Sequence, residues 1–137
     1  MSVLSVSPEV VAIESEADIV TARQEGRMLA ARLGFACADV TVVGTAICEL
    51  ARNILLYAGN GSITLRPLNS EERQGVLVIA ADSGPGIADV AQATAGGYST
   101  SGGLGLGLCG VRGLVDEFEI VSDVGRGTTV TVKKWSR

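Results

Sequence analysis

Between Asp82 and Gly113 the chain concentrates more than half of its 18 glycines in two clusters. Glycine weakens both helices and strands, so a stretch this rich in it is neither, and the regular elements have to be arranged around it. At the front, the apolar and β-branched run Val76–Ala81 reads as a short buried strand, and it ends in Asp82-Ser83-Gly84-Pro85-Gly86. At the back, Ser101-Gly102-Gly103-Leu104-Gly105-Leu106 runs into Gly107, after which Leu108, Val111, Leu114 and Val115 fall at helical spacing.

Each end admits two readings. A carboxylate at the end of a strand can accept a hydrogen bond from the exocyclic amine of a base, with Gly84 and Gly86 letting a ligand touch the backbone; the same residues also make a tight strand-ending turn. A helix that opens at Gly107 after a glycine-rich turn points unpaired N–H groups and the positive end of its dipole at one spot, a site suited to phosphate. The small and polar residues from Ala88 to Ser101 carry no apolar period and read as a lid. Taken together, the segment is expected to form the wall and lid of a nucleotide pocket.

In chain order, Val3 to Ile13 reads as a first or edge strand, Pro8 being tolerable only at an edge or bulge. Ser15 and Asp18 resemble a capping box, and Ile19, Ala22, Gly26, Leu29 and Leu33 mark a helix face that stops at Gly34. The polar face carries Arg23, Glu25, Arg27 and Arg32, which solvation alone would explain. A second helix is expected from near Asp39, with Val43, Ile47, Leu50, Ile54 and Tyr57 as its stripe and Gly59 as its terminator.

Glu49 and Asn53, four residues apart, lie one above the other beside that stripe. They are either an ordinary polar flank or a pair that divides phosphoryl transfer, Asn53 holding Mg²⁺ through its oxygen and Glu49 accepting a proton from the nucleophile. Beyond them, Ser62–Leu68 and Val76–Ala81 read as an antiparallel pair, and Phe118–Val121 and Thr128–Trp135 as a second pair closed by Gly125-Arg126-Gly127. The expected fold is therefore α+β, a mainly antiparallel mixed sheet with its helices on one face, in a single domain over residues 1–137.

Composition narrows the function. With no histidine, Ser-His-Asp and Cys-His catalysis, histidine metal ligands and autophosphorylation on histidine are all excluded. Three cysteines, Cys37, Cys48 and Cys109, lack CxxC spacing and suggest neither disulfides nor zinc. A net charge of −4 offers no broad basic face for nucleic acid. No apolar run is read as a membrane span, and the start MSVLSVSPEVV lacks the basic and apolar regions of a leader; the expected location is the cytoplasm, with no membrane partner. Gly105-Leu106-Gly107-Leu108-Cys109-Gly110 matches GxGxxG, with Asp123 as a candidate ribose acid, but no buried strand precedes the first glycine. A P-loop is ruled out because no GxxxxGK[ST] occurs.

Glu49-x-x-x-Asn53, Asp82-x-Gly84-x-Gly86, the run Gly103 to Gly107 and Gly125-x-Gly127-Thr128 occur in an order that resembles the N, G1, G2 and G3 boxes of the GHKL ATPase superfamily, with its Bergerat fold and glycine-rich ATP lid. The absent histidine and the expected single domain narrow the likeness to the small anti-sigma-factor serine/threonine kinases. Ile19–Gln24, Glu49–Ile54, Leu56–Gly59, Ser99–Gly105, Val115–Phe118 and Lys134-Trp135 are similar to the switch kinases of the stressosome pathway.

This resemblance implies an Mg-ATP-dependent kinase acting on serine or threonine of STAS-domain proteins of the RsbS and RsbR type. Once released, such a kinase binds and activates a PP2C-type phosphatase of the RsbU type. By position it makes Glu49 the general base and Asn53 the Mg²⁺ ligand. Asp82 binds the adenine amine, Thr128 lies near the base through water, and Gly84, Gly86, Gly103, Leu104, Gly105 and Gly107 line the nucleotide. It also implies a partner contact for Arg23, and Arg112 is a further candidate for a phosphate or substrate contact. The alternative from another class is a nucleotide-gated binding switch, an anti-sigma factor or phosphatase activator in which catalysis is incidental.

Overall fold

The structure, a computed structural model, describes residues 9–85 and 107–136. Its elements run β1 (Glu9–Ile13), α1 (Glu16–Arg32), α2 (Cys37–Tyr57), β2 (Gly61–Asn69), β3 (Gln74–Asp82), α3 (Gly107–Leu114), β4 (Glu117–Asp123) and β5 (Gly127–Trp135). The expected Gly86, Gly103, Leu104 and Gly105 contacts, the lid and Pro8 lie outside the described residues.

The strands form one sheet in the order β1-β2-β3-β5-β4, and all four pairings are antiparallel. Alternation along each strand sorts its side chains between two faces. One set, Val11, Ile13, Ile63, Leu65, Val76, Val78, Ala80, Val130 and Val132, is buried together with Ile19, Ala22, Val43, Ile47, Leu50, Ile54 and Val111 of the helices. The other set, including Thr64, Leu77, Ile79, Thr129 and Thr131, is only partly buried. The expected sheet with helices on one face is thus present.

Local signals place the helices. At the start of α1 the Asp18 carboxylate accepts the backbone N–H of Glu14 at 2.8 Å and of Ser15 at 3.1 Å, so aspartate fills the place usually taken by glutamate. Its end is closed by the N–H of Gly34 donating to Ala31 and that of Phe35 to Ala30, with Gly34 at φ 86°. Gly26 lies where α1 and α2 approach closely, and a Cβ there would run into the side chain of Ile47.

Three expectations are corrected. Helix α2 begins at Cys37, two residues before the expected Asp39, because Ala36 precedes it without any side-chain cap to mark the start. Tyr57, read as part of the apolar stripe, is exposed, while Ile54 one turn earlier is buried. Helix α2, with 21 residues and a mean hydropathy of 1.4 over its most apolar 18-residue window, is also long and apolar enough to cross a membrane by length and composition. Its stripe is instead buried between the sheet and α1, the position of a core helix.

Candidate active site

The end of β3 brings Asp82 beside two glycines that the pairing of its neighbours requires. Asp82 stands opposite Gly61 on one side and Thr128 on the other. Its Oδ1 accepts the backbone N–H of Gly84 at 2.9 Å and of Thr128 at 3.3 Å. One oxygen is thereby fixed by two donors, and Oδ2 is left as an acceptor for a ligand donor. Gly127, at φ 113°, lies so close that a Cβ would collide with the carbonyl oxygen of Asp82. Only glycine both adopts that conformation and permits that approach.

Helix α2 abuts the same corner. A Cβ on Gly84 would meet Ala58, which caps α2, at 2.6 Å, and one on Gly61 would meet the side chain of Ile54 at 2.8 Å. Glu49 and Asn53 are therefore carried by a helix seated on the strand ends that hold Asp82. Glu49 Oε2 pairs with the Arg52 guanidinium at 2.8 Å. The Asn53 Nδ2 is buried and has no hydrogen-bond partner. A buried amide end without a partner among the described residues is costly in a finished core, and a ligand is one thing that would satisfy it. Turning that amide exchanges Nδ2 for Oδ1, an oxygen of the kind Mg²⁺ takes, so the residue fits the metal.

Helix α3 opens at Gly107, as the sequence indicated, and is anchored by Val111, with Leu108 and Val115 packed beside it. Arg112 is exposed on it. The structure brings Asp82, Gly84 and Thr128 together and seats the helix of Glu49 and Asn53 against them. Two neighbours escaped the sequence reading. Ser122 shares a 2.8 Å hydrogen bond with the hydroxyl of Thr128, its register partner across the β4–β5 hairpin; recognising that the 125–127 turn sets this register would have found it. The other is Arg52, three residues from Glu49 and legible as an i,i+3 pair.

Arg23 lies elsewhere, in a groove of about 310 Å³ between α1 and α2 that is lined by Ile19, Val20, Cys48, Arg52, Leu55 and Leu56, with Glu16 at one end. Its stem crosses α2 at Gly44, where a Cβ would meet it at 3.3 Å. Its Nε is buried without a partner. Among the described residues, Arg23 and Asn53 hold the two buried side-chain nitrogens left in this state.

An acid fixed at a strand end by backbone donors, beside a helix bearing a second acid and an unsatisfied amide, defines a nucleotide-binding ATPase domain. Residues 13–134 match the histidine kinase-like ATPase domain family, and the chain belongs to it. Within that class it is 50% identical over 127 residues to the serine/threonine-protein kinase RsbT of Bacillus subtilis (strain 168), covering 93% of this chain and 96% of that protein, and it belongs to the same kinase family. Among solved structures, the mycobacterial sensor histidine kinase MprB superposes with a TM-score of 0.54 at 17% identity, over 96% of this chain and 99% of that one, a likeness of fold alone.

Proposed function

We propose that this chain transfers the γ-phosphoryl group of Mg-ATP to a serine or threonine of a STAS-domain protein of the RsbS or RsbR type, and then engages a PP2C-type phosphatase of the RsbU type. Its proposed place of action is the cytoplasm. The observation that carries the reading is that Asn53, whose buried amide end has no partner among the described residues, stands one turn after Glu49 on a helix packed against the strand end of Asp82.

In this reading Asp82 Oδ2 accepts the adenine amine, and Gly84, Gly86 and Thr128 shape the base pocket. Gly103, Leu104, Gly105 and Gly107 line the phosphates at the start of α3. Asn53 would hold Mg²⁺, which when bound neutralises phosphate charge. Glu49 takes the proton of the acceptor hydroxyl as its oxygen bonds the γ-phosphorus and the bridging bond to ADP breaks. Arg23 is the partner contact: its buried, unpartnered Nε suits an acceptor supplied by the docked protein, between the apolar walls of the groove.

The test is transfer of labelled γ-phosphate to a purified STAS-domain protein. Glu49→Gln is expected to lower kcat by roughly 10²–10⁴ while ATP still binds, the range for loss of a general base. Unaltered transfer by that variant would remove Glu49 from the role. Arg23→Ala should weaken co-purification with the STAS protein and leave ATP affinity as it was.

A further inference from the structure

Glu49 has a neighbour on each flank of its helix. Positions i+3 and i+4 are displaced about 60° to one side and about 40° to the other, so Arg52 and Asn53 stand on opposite sides of it. Asn53 carries the unsatisfied amide of the nucleotide site, whereas Arg52 lines the groove that holds Arg23. The 2.8 Å bond from Arg52 Nη1 to Glu49 Oε2 commits the acid to the groove side. The Arg52 side chain is 47% exposed and that of Glu49 only 16%. A largely enclosed carboxylate is therefore held by a guanidinium that is half exposed and belongs to a residue lining the groove.

We infer that Arg52 is a positioning residue that latches Glu49 toward the groove until an acidic group of the docked partner takes over its guanidinium. The inference rests on Glu49 being the base and on the groove being the docking surface. The chemistry of the groove selects the occupant: two arginines against one acid, Glu16, stand among Ile19, Val20, Leu55 and Leu56, and one arginine has a buried Nε with no acceptor among the described residues. A segment presenting a carboxylate between apolar side chains matches both. A half-exposed helical ion pair is weak in water, while a carboxylate that docks on Arg52 excludes water as it binds, so the exchange favours the partner. Freed, Glu49 can turn toward the Asn53 side, where the phosphoryl group is bound. Docking and base release become one event.

The test compares partner-free hydrolysis of Mg-ATP, in which water is the acceptor, with transfer to the STAS-domain protein. The full chain is used as wild type, Arg52→Ala, Arg52→Lys, Glu49→Gln and the double variant Glu49→Gln/Arg52→Ala. Arg52→Ala is expected to raise kcat for partner-free hydrolysis about two- to five-fold, the factor held by an exposed ion pair, with ATP affinity unchanged and stimulation by the partner reduced by the same factor. Arg52→Lys should fall between it and wild type, and in the Glu49→Gln background the arginine change should have no effect. If Arg52→Ala lowers both rates, or raises hydrolysis equally without Glu49, the latch is wrong while the base stands. Wild-type transfer by Glu49→Gln would remove base and latch together. Melting curves of each variant separate these outcomes from misfolding.

Discussion

Asp82 and Thr128 face each other across the β3–β5 ladder, and the N–H of Thr128 donates to the same Asp82 oxygen that accepts from Gly84. The strand that closes the sheet therefore helps aim the acid that ends the strand beside it. Asp82→Asn should keep an acceptor for both N–H groups while presenting a donor where Oδ2 stood, opposite the donor amine of adenine. A hydrogen bond to a charged group contributes about 1.5–3 kcal/mol, so ATP affinity should fall roughly 10- to 100-fold. Calorimetric titration with ATP checks this, and equal affinity in the variant would refute the assignment.

Gly127 and Gly125 both have positive φ, but only at Gly127 would a side chain collide with another strand end; nothing lies within 4 Å of a Cβ built on Gly125, whose N–H donates to the Pro85 carbonyl at 2.8 Å. Gly125→Ala should cost backbone strain of about 1 kcal/mol. Gly127→Ala adds the collision with Asp82 and should cost at least about 2 kcal/mol, a fall in Tm of roughly 5–10 °C for a chain of this length. It should also weaken ATP binding by displacing Asp82. Paired thermal melts and titrations of the two variants separate strain from contact.

Lys134, the buried charged side chain among the described residues, is 3.9 Å from both Asp39 and Asp116. It ties the first turn of α2 to β5 and to the residue before β4. Lys134→Met removes the cation that both partly enclosed acids share and should cost about 1–3 kcal/mol. Asp39→Asn should cost less, because the ammonium keeps Asp116. Urea unfolding of the single and double variants would give a coupling energy, and strict additivity would show that the pair contributes nothing.

What the sequence made legible was local. Ser15 with Asp18, Gly34, Gly59 and the 125–127 turn each carry a short-range signal, and each ended or started an element where expected. The start of α2 escaped because Ala36 offers no cap. The burial of Lys134 escaped because a lysine at the end of a strand ordinarily lies in solvent, and its approach to Asp39 and Asp116 is a tertiary contact. The donation from Thr128 to Asp82 spans 46 residues. It depends on β5 inserting between β3 and β4, a sheet order that no short-range pattern encodes. The glycine boxes and the spacing of Glu49 and Asn53 suggested the chemistry, whereas Arg52 became visible once the structure placed it on the wall of the groove.

Asn53 separates nucleotide binding from metal binding more cleanly than any other residue of the site. Its Nδ2 is buried with no hydrogen-bond partner among the described residues, so the folded protein gains little from it before a ligand arrives, and Asn53→Ala should change the unfolding free energy by no more than about 1 kcal/mol. With Mg²⁺ present the variant should bind ATP at least about tenfold more weakly, the loss of one charged-group contact. With the metal chelated, the variant and the wild type should bind ATP alike, because the proposed adenine contact of Asp82 is untouched in both. Titrations with and without EDTA make the comparison. Equal losses in both conditions would mean that Asn53 touches the nucleotide directly, and no loss in either would mean that the unpartnered amide serves neither.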